Sequence, residues 1–435
     1  MRCAVWPVGW VRAGGKGKGP AMGRLGLLAM ALTGGKRKAA VRVVPRGKRW
    51  RRTGARLLVA GASLLALAGS SLTAPGLAFA SGSGFVGSSG TGLTLHGHRW
   101  RFVGFNDYQL TSMPGGAYIC GRPIDDATLN SVLRDAKKSG ATVIRTWFFQ
   151  GYYDMNAQGE WIQPTWAAFN RVLKAAAYYG LKVIPVLINE WQDCEPASTD
   201  KNLGFFQTGY EQPGSYGYPL SFKAYATTVA RHYANDARIA FWQIGNELQN
   251  YTDTGCDSFA ESAGASALRA FADDMTAAIQ AVDPNHLVSL GTAGGGECGL
   301  SQTDYQYVNA GAIDICDYHD YYDVTQAMPD DGYNRLAQRI AQCRTLNKPI
   351  VVTESGIAAD VDSNGQDTGI VTSTTLQNRA SFFQAKLKAA FSRGVAGYVL
   401  WDKEQDPSNL AELFEIGPND PTDSVTAAMA KSLRN

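Results

Sequence analysis

Acidic residues are missing from the first 80 positions, which hold 15 Lys or Arg and no Asp or Glu. The rest of the 435-residue chain carries the other 26 basic residues against all 38 acidic ones, so the body is acidic although the formal total is +3. Such a body excludes nucleic acid as the expected partner, because that affinity rests on Lys and Arg facing phosphates. Histidine is scarce, at five residues, and no Cys-x-x-Cys occurs. The close pair His96 and His98 falls in an early turn, so no metal or cofactor is expected. A Gly-x-Gly-x-x-Gly turn after the first strand is also lacking, which argues against a dinucleotide-binding open sheet. The glycine-rich stretch 291–299 follows the fifth strand and carries Glu297, not Lys, so it reads as a loop with little phosphate affinity.

The first 80 residues divide into two stretches. Residues 1–48 show no periodicity and are expected to form a disordered basic extension, with Met22 and Met30 as alternative starts. From Arg49 a charged segment runs into the apolar stretch 57–67 and closes on Ala78-Phe79-Ala80. That is the n-region, h-region and small-x-small site of a secretory signal over 49–80. The apolar stretch is too short, and too rich in Gly and Ser, for a membrane span. Arg51-Arg52 hints at a twin-arginine signal, but the hydrophobic pair expected soon after is missing. The mature protein is expected to begin near Ser81, to be secreted, and to keep no membrane anchor. Residues 81–91 read as a Gly/Ser linker, and 92–435 as a single folded domain.

Six of the seven cysteines lie in the mature part. An even number in an exported chain implies disulfides, and six cysteines allow 15 pairings. The strand layout suggests Cys120–Cys194, Cys256–Cys298 and Cys316–Cys343.

From position 92 onward, strand and helix patterns alternate. The segment 93–100 reads as a hairpin turning at His96-Gly97, placed to plug one end of a barrel. Strands follow at 101–106, 141–147, 181–188, 241–247, 287–291, 312–319, 349–356 and 395–401. Helices are expected at 125–139, 165–179, 221–235, 258–282, 333–346, 375–393 and 423–433, several with start and stop chemistry such as Asp125 and Gly140. Phe169, Val172, Leu173 and Ala176 mark one buried helix face, and Leu268, Phe271, Met275 and Ile279 another. Eight strands joined by right-handed crossovers close as a single α/β (β/α)8 TIM barrel, preceded by a short β-hairpin.

Two of the strands end alike. Phe241-Trp-Gln-Ile-Gly-Asn246-Glu247 and Pro349-Ile-Val-Val-Thr-Glu354 are apolar runs that each deliver a glutamate at the carboxyl end, where such barrels keep their chemistry. They lie on the fourth and seventh strands, whose tips face each other across the mouth. Two carboxyls about 5–5.5 Å apart suit a retaining glycosidase, one protonating the leaving oxygen and the other attacking the anomeric carbon. Their pKa values are expected to separate.

The set of strand tips resembles the clan A glycoside hydrolases, and glycoside hydrolase family 5 (cellulase/endo-β-mannanase-like) in particular. The resemblance implies Glu247 as acid/base and Glu354 as nucleophile. It implies Arg145, in Ile-Arg-Thr-Trp, beside the nucleophile and keeping it ionised, and Tyr321 hydrogen-bonding it. Asn246 is expected on a sugar 2-hydroxyl, His319 on a sugar hydroxyl or on the acid, and Trp401 as the sugar platform. The segments 104–108, 144–147 and 188–191 are similar to those of endo-β-1,4-mannanases of that family, which adds Asn106, Trp147 and Trp191 to the cleft. The chain departs from those enzymes after the acid, where Leu248-Gln249 replaces Pro-Arg, and at the nucleophile, where Thr353-Glu-Ser-Gly356 replaces Glu-Glu-Phe-Gly. The substrate therefore stays open between β-1,4-mannan and β-glucan. The loop 193–219, with Phe205, Phe206, Tyr210, Tyr216 and Tyr218, either covers one end of the cleft and favours exo action on short β-glycosides, or is aromatic packing. A non-catalytic carbohydrate-binding barrel is the remaining alternative. The expected partner is carbohydrate alone, bound by a monomer.

Overall fold

The computed structural model describes residues 84–111, 124–154, 165–191, 201–214, 219–250, 258–294, 297–321, 323–328, 335–359, 374–403 and 414–434. Three short strands come first: β1 (Val86–Ser89), β2 (Gly92–Leu95) and β3 (His98–Trp100), an antiparallel sheet in that order. β2 and β3 are the expected hairpin, turning at His96 and Gly97. β1 corrects the expectation of a linker over 81–91. Val86 pairs with Leu95 and is fully buried, while Ser88 and Ser89 form the exposed end of the strand. A Gly/Ser composition reads as flexible until a partner strand takes up its backbone groups.

The barrel follows, each strand leading into one or two helices: β4 (Phe102–Asn106), α1 (Asp126–Lys138), β5 (Val143–Trp147), α2 (Gln150–Asp154), α3 (Ala167–Tyr178), β6 (Lys182–Val186), α4 (Leu203–Gln207), α5 (Phe222–Tyr233), β7 (Trp242–Gln243), α6 (Ser258–Gln280), β8 (Val288–Ser289), α7 (Asp304–Asn309), β9 (Cys316–Asp320), α8 (Leu336–Thr345), β10 (Ile350–Ser355), α9 (Leu376–Ser392), β11 (Gly397–Leu400) and α10 (Pro421–Leu433). The parallel strands lie in the order β8-β7-β6-β5-β4-β11-β10-β9. Asp314 N donates to Val288 O at 2.8 Å, and a parallel bridge joins Ser289 to Ile315. These contacts join β8 to β9 and close the ring as a (β/α)8 barrel.

Helix starts follow the local chemistry. The side chains of Asp125, Ser221 and Thr375 each accept a backbone N–H three residues on, capping α1, α5 and α9. Gly140, at φ +86°, ends the first of these in a conformation L residues resist. The predicted helix faces on α3 and α6 are buried. The unpredicted helices α2, α4 and α7 span five or six residues, too short to display a periodic face.

A separate apolar cluster closes the amino-terminal end of the barrel. Val86 and Leu93 of the small sheet pack there with Phe102, Val143, Ile184, Phe241, Ile315 and Val351. The opposite end is left for the polar residues.

Part of the loop 193–219 resolves into packing. Phe205, Phe206 and Tyr210 are buried and set their rings against Phe271 of α6, with centroids at 6.1, 5.2 and 4.9 Å. These three therefore anchor the loop to the barrel wall; Tyr216 and Tyr218 lie outside the described residues. Phe271→Ala removes the shared ring and is expected to cost about 3–5 kcal/mol of stability. Denaturant unfolding followed by tryptophan fluorescence measures it; an unchanged midpoint would contradict this packing.

Cys316 and Cys343 form a disulfide across a sequence separation of 27, tying β9 to α8. Cys298 is also disulfide-bonded. Its expected partner Cys256 lies outside the described residues, as do Cys120 and Cys194.

Candidate active site

Residues at and just beyond the carboxyl ends of parallel barrel strands face the mouth. Asn246 and Glu247 follow β7, Glu354 lies near the end of β10, and His319 lies in β9 with Tyr321 just after it. Arg145 lies in β5, Asn106 ends β4, Trp191 follows β6 and Trp401 follows β11. Closure of the ring brings all of them to one end.

Oxygens of Glu247 and Glu354 and a nitrogen of His319 lie within 4.8 Å of one another. Glu354 is 3% exposed. Its Oε1 accepts from Arg145 Nη1 at 2.6 Å, and its Oε2 accepts from Tyr321 Oη–H at 2.7 Å. The Glu247 side chain is more open, at 23%. Its Oε2 accepts from Trp191 Nε1 at 2.7 Å, and its Oε1 lies 2.8 Å from His319 Nδ1. The same Nδ1 is 3.5 Å from Glu354 Oε2, so His319 stands between the two carboxylates.

Glu247 sits at φ +53°, in the left-handed region that side-chain-bearing residues seldom occupy. The backbone around it is pinned: Asn246 N donates to Ile188 O at 2.8 Å, and Leu248 N to Gly291 O at 3.3 Å. Strain of this kind, held by its surroundings, is characteristic of functional positions.

The electrostatics follow from burial and partners. Burial alone would raise the Glu247 carboxyl. The hydrogen bond and charge of His319, the Trp191 indole and the Arg145 guanidinium outweigh it and hold Glu247 below the ordinary range. Burial pushes His319 down, but the charge of Glu354 and the bond and charge of Glu247 outweigh it and raise it above 6.5. Both directions favour a proton on the imidazole over one on the Glu247 carboxyl. Deeper in the barrel, burial pushes the Asp317 carboxyl up to about 6 despite bonds from Gly291 and Gln243.

The donor set is that of a hydrogen-bonded ion-pair cluster. Arg145 already faces Glu354 as its cation, and a metal ion bridging Glu247, His319 and Glu354 would have to sit against that guanidinium.

Two residues expected to touch substrate are placed otherwise. Asn106 is 1% exposed. Its Nδ2 donates to Thr353 O and Leu400 O, and its Oδ1 accepts from Arg145, so it braces the strand tips and the arginine. Its amide is fully engaged inside the wall, which a reading of the strand end alone cannot foresee. Trp147 is 4% exposed, wedged between Phe149 and the Tyr108–Trp401 pair, with Arg145 over its ring at 5.0 Å. It supports the wall from behind. Trp401 is partly exposed and stacks on Tyr108 at 5.7 Å, nearly parallel. Asn246 Oδ1 accepts from Arg145, and its Nδ2 donates to Asn189 at 3.0 Å.

Sequence reasoning missed Asn189, Gln243, Asp317 and Tyr108. A signal existed for two of them: Gln243 and Asp317 are polar residues inside buried strands, and a polar group there needs a partner.

The family model described as "Cellulase (glycosyl hydrolase family 5)" matches residues 104–399. The "Probable mannan endo-1,4-beta-mannosidase C" of Aspergillus terreus is 27% identical over 317 residues, covering 63% of this chain and 73% of its own length. "Mannan endo-1,4-beta-mannosidase 1" of Arabidopsis thaliana is 24% identical over 398 residues, covering 81% and 91%. Among solved structures, the endo-1,4-beta-mannanase from Rhizomucor miehei superposes with a TM-score of 0.59 at 20% identity, over 80% of this chain and 99% of that one. At that identity the superposition shows the fold alone.

Proposed function

The chain belongs to glycoside hydrolase family 5, and on that premise we propose that this β-glycoside hydrolase cleaves β-1,4-linked mannan by double displacement. The observation that carries the mechanism is the approach of Glu247 and Glu354 oxygens to within 4.8 Å, close to the spacing of retaining enzymes. The substrate rests on the mannan endo-1,4-beta-mannosidases to which the chain is similar.

In the first step a Glu354 oxygen attacks the anomeric carbon as the glycosidic C–O bond breaks, and Glu247 delivers a proton to the departing oxygen. In the second, Glu247 takes a proton from water, the water oxygen bonds to the anomeric carbon, and Glu354 is released. Asn246 offers its remaining amide hydrogen to the sugar 2-hydroxyl, a bond that strengthens in the oxocarbenium-like transition state. Trp401 presents its partly open face to the sugar ring. Trp191 and His319 orient the acid, Tyr321 and Arg145 the nucleophile.

The proton that Glu247 delivers is shared with His319, so the alkaline limb of kcat/KM reports the pair and not either residue. Because the Glu354 and Glu247 carboxylates raise His319, that limb is expected on the alkaline side of where a free imidazole titrates. His319→Gln removes the shared site and moves the limb to lower pH. A pH profile of the variant that overlays the parent's would contradict the shared proton.

We also place the protein outside the cell. The signal-like segment 49–80 precedes a catalytic domain at 92–435, and the disulfide-bonded Cys298, Cys316 and Cys343 suit an oxidising compartment. Among the described residues, no helix is long and apolar enough to cross a membrane.

A panel of mannan, cellulose, β-1,3-glucan and aryl β-glycosides, with products sized, tests the substrate. Internal cleavage of mannan, with early oligomers of several lengths, is expected; release of single sugars from chain ends alone would point to exo action. Proton NMR is expected to show the β-anomer as the first-formed product, and α-anomer first would overturn double displacement.

A further inference from the structure

Beneath the carboxylates, Arg145 leads into buried side chains that the chemistry above does not use. Arg145 donates from Nε to Gln243 Oε1 at 2.6 Å. Gln243 in turn donates from Nε2 to Asp317 Oδ1 at 2.7 Å. The second oxygen, Oδ2, accepts from Gly291 N at 2.6 Å. Arg145 and Gln243 are fully buried, and Asp317 is 1% exposed.

The polarity of this chain is forced. A guanidinium only donates, and an ionised carboxylate only accepts. A primary amide does either, depending on which way it is turned. With Asp317 on its far side, Gln243 has one satisfactory orientation, oxygen toward Arg145. The opposite orientation would set N–H against N–H at the arginine and oxygen against oxygen at the aspartate. The carboxylate is itself fixed from behind. Gly291 lies at φ +86°, and a Cβ there would stand 1.7 Å from Gly245 O, so the backbone that presents this N–H tolerates no side chain. We propose that Asp317, acting through Gln243, is a positioning residue that orients the Arg145 guanidinium toward Glu354 and Asn246.

The proposal rests on reading Glu354 as the nucleophile and names what sets the geometry of its cation. Arg145 has four acceptors: Gln243, Asn106, Glu354 and Asn246. Two of them are groups that act on the sugar. A tilt of the guanidinium therefore displaces nucleophile and 2-hydroxyl ligand together, while Trp401 and the substrate-facing wall stay in place. The consequence belongs in kcat more than in KM.

The test is a swap. Asp317→Asn alone lets the amide of Gln243 turn, and Gln243→Glu alone sets two carboxylates against each other. Each single variant is expected to lose kcat by about 10- to 100-fold, the scale of a small misplacement of reacting groups, with KM within about threefold of the parent. The double variant Gln243→Glu/Asp317→Asn keeps the net charge and rebuilds both bonds, with Glu accepting from Arg145 and from the Asn amide. It is expected to return kcat to within about threefold of the parent. A role confined to folding would lower the melting temperature and leave kcat per folded molecule unchanged in the singles. That outcome overturns the proposal, as does a double variant that is inactive or does not fold. Should Asp317→Asn itself not fold, the double variant alone decides. Parent and Glu354→Gln are assayed in parallel: an active parent and an inactive Glu354→Gln keep the nucleophile assignment even if the swap fails.

Discussion

Glu354→Gln is expected to lower kcat/KM on mannan by on the order of 10,000-fold or more, the scale seen when a covalent nucleophile is removed. The substitution keeps the shape of the side chain. The amide oxygen still accepts from Arg145, and Tyr321 Oη accepts from the new N–H where it donates at 2.7 Å in the parent. What disappears is the negative oxygen that forms the glycosyl bond, so no covalent intermediate can accumulate. The fold is expected to persist, because Glu354 reaches its neighbours by hydrogen bonds that the amide can largely repeat. Oligosaccharide binding is expected to persist with it, since Trp401 and Asn246 are untouched. Steady-state kinetics and a binding isotherm on one preparation check both halves. A variant that keeps more than about a tenth of the parent rate would remove Glu354 from the role, given that a lost nucleophile costs far more.

Arg145→Met is expected to damage both stability and activity. The arginine is fully buried and ion-paired to Glu354, at 2.6 Å, with three further acceptors on its fork. Removing one member of such a pair leaves a charge stranded in the interior, which costs about 3–5 kcal/mol. Methionine fills much of the volume but offers no N–H to Gln243, Asn106 or Asn246. Glu354 and Asn246 also lose the guanidinium that aims them, so kcat/KM on mannan is expected to fall by about 100-fold, the scale of a small misplacement of reacting groups. Thermal unfolding and steady-state kinetics of the same variant measure the two effects. A variant with the parent's melting temperature and kcat/KM would contradict the buried ion pair.

The two variants differ in what they read. The first removes a reacting atom and spares the framework. The second leaves both glutamates in place and removes what holds one of them, so its loss should appear in stability and rate together.

Much of this molecule is written locally. The helices that begin at Asp125, Ser221 and Thr375 carry their caps within three residues, and the faces built on Phe169 or Leu268 repeat within a turn or two. Signals of that range survive in one dimension, and alternation then dictates the barrel. The glutamates at the tips of β7 and β10 were legible for the same reason, since a strand's polar end is adjacent to its apolar run.

The rest depended on closure. Asn106 looked like a residue of the mouth, yet its partners Thr353 and Leu400 stand 247 and 294 positions away and draw it into the wall. Trp191 looked like a cleft aromatic, and the structure turns its N–H to Glu247 across 56 positions. Val86 looked like part of a linker until β2 met it. The same holds for the chain from Arg145 through Gln243 to Asp317, whose links span 98 and 74 positions. The sequence by itself settled which segments coil, which extend, and which carboxylates end up at the mouth, because those choices depend on neighbours a few residues apart. Only the tertiary structure decided who bonds to whom, because a buried polar group takes its partner from whatever the closed ring brings within three ångströms.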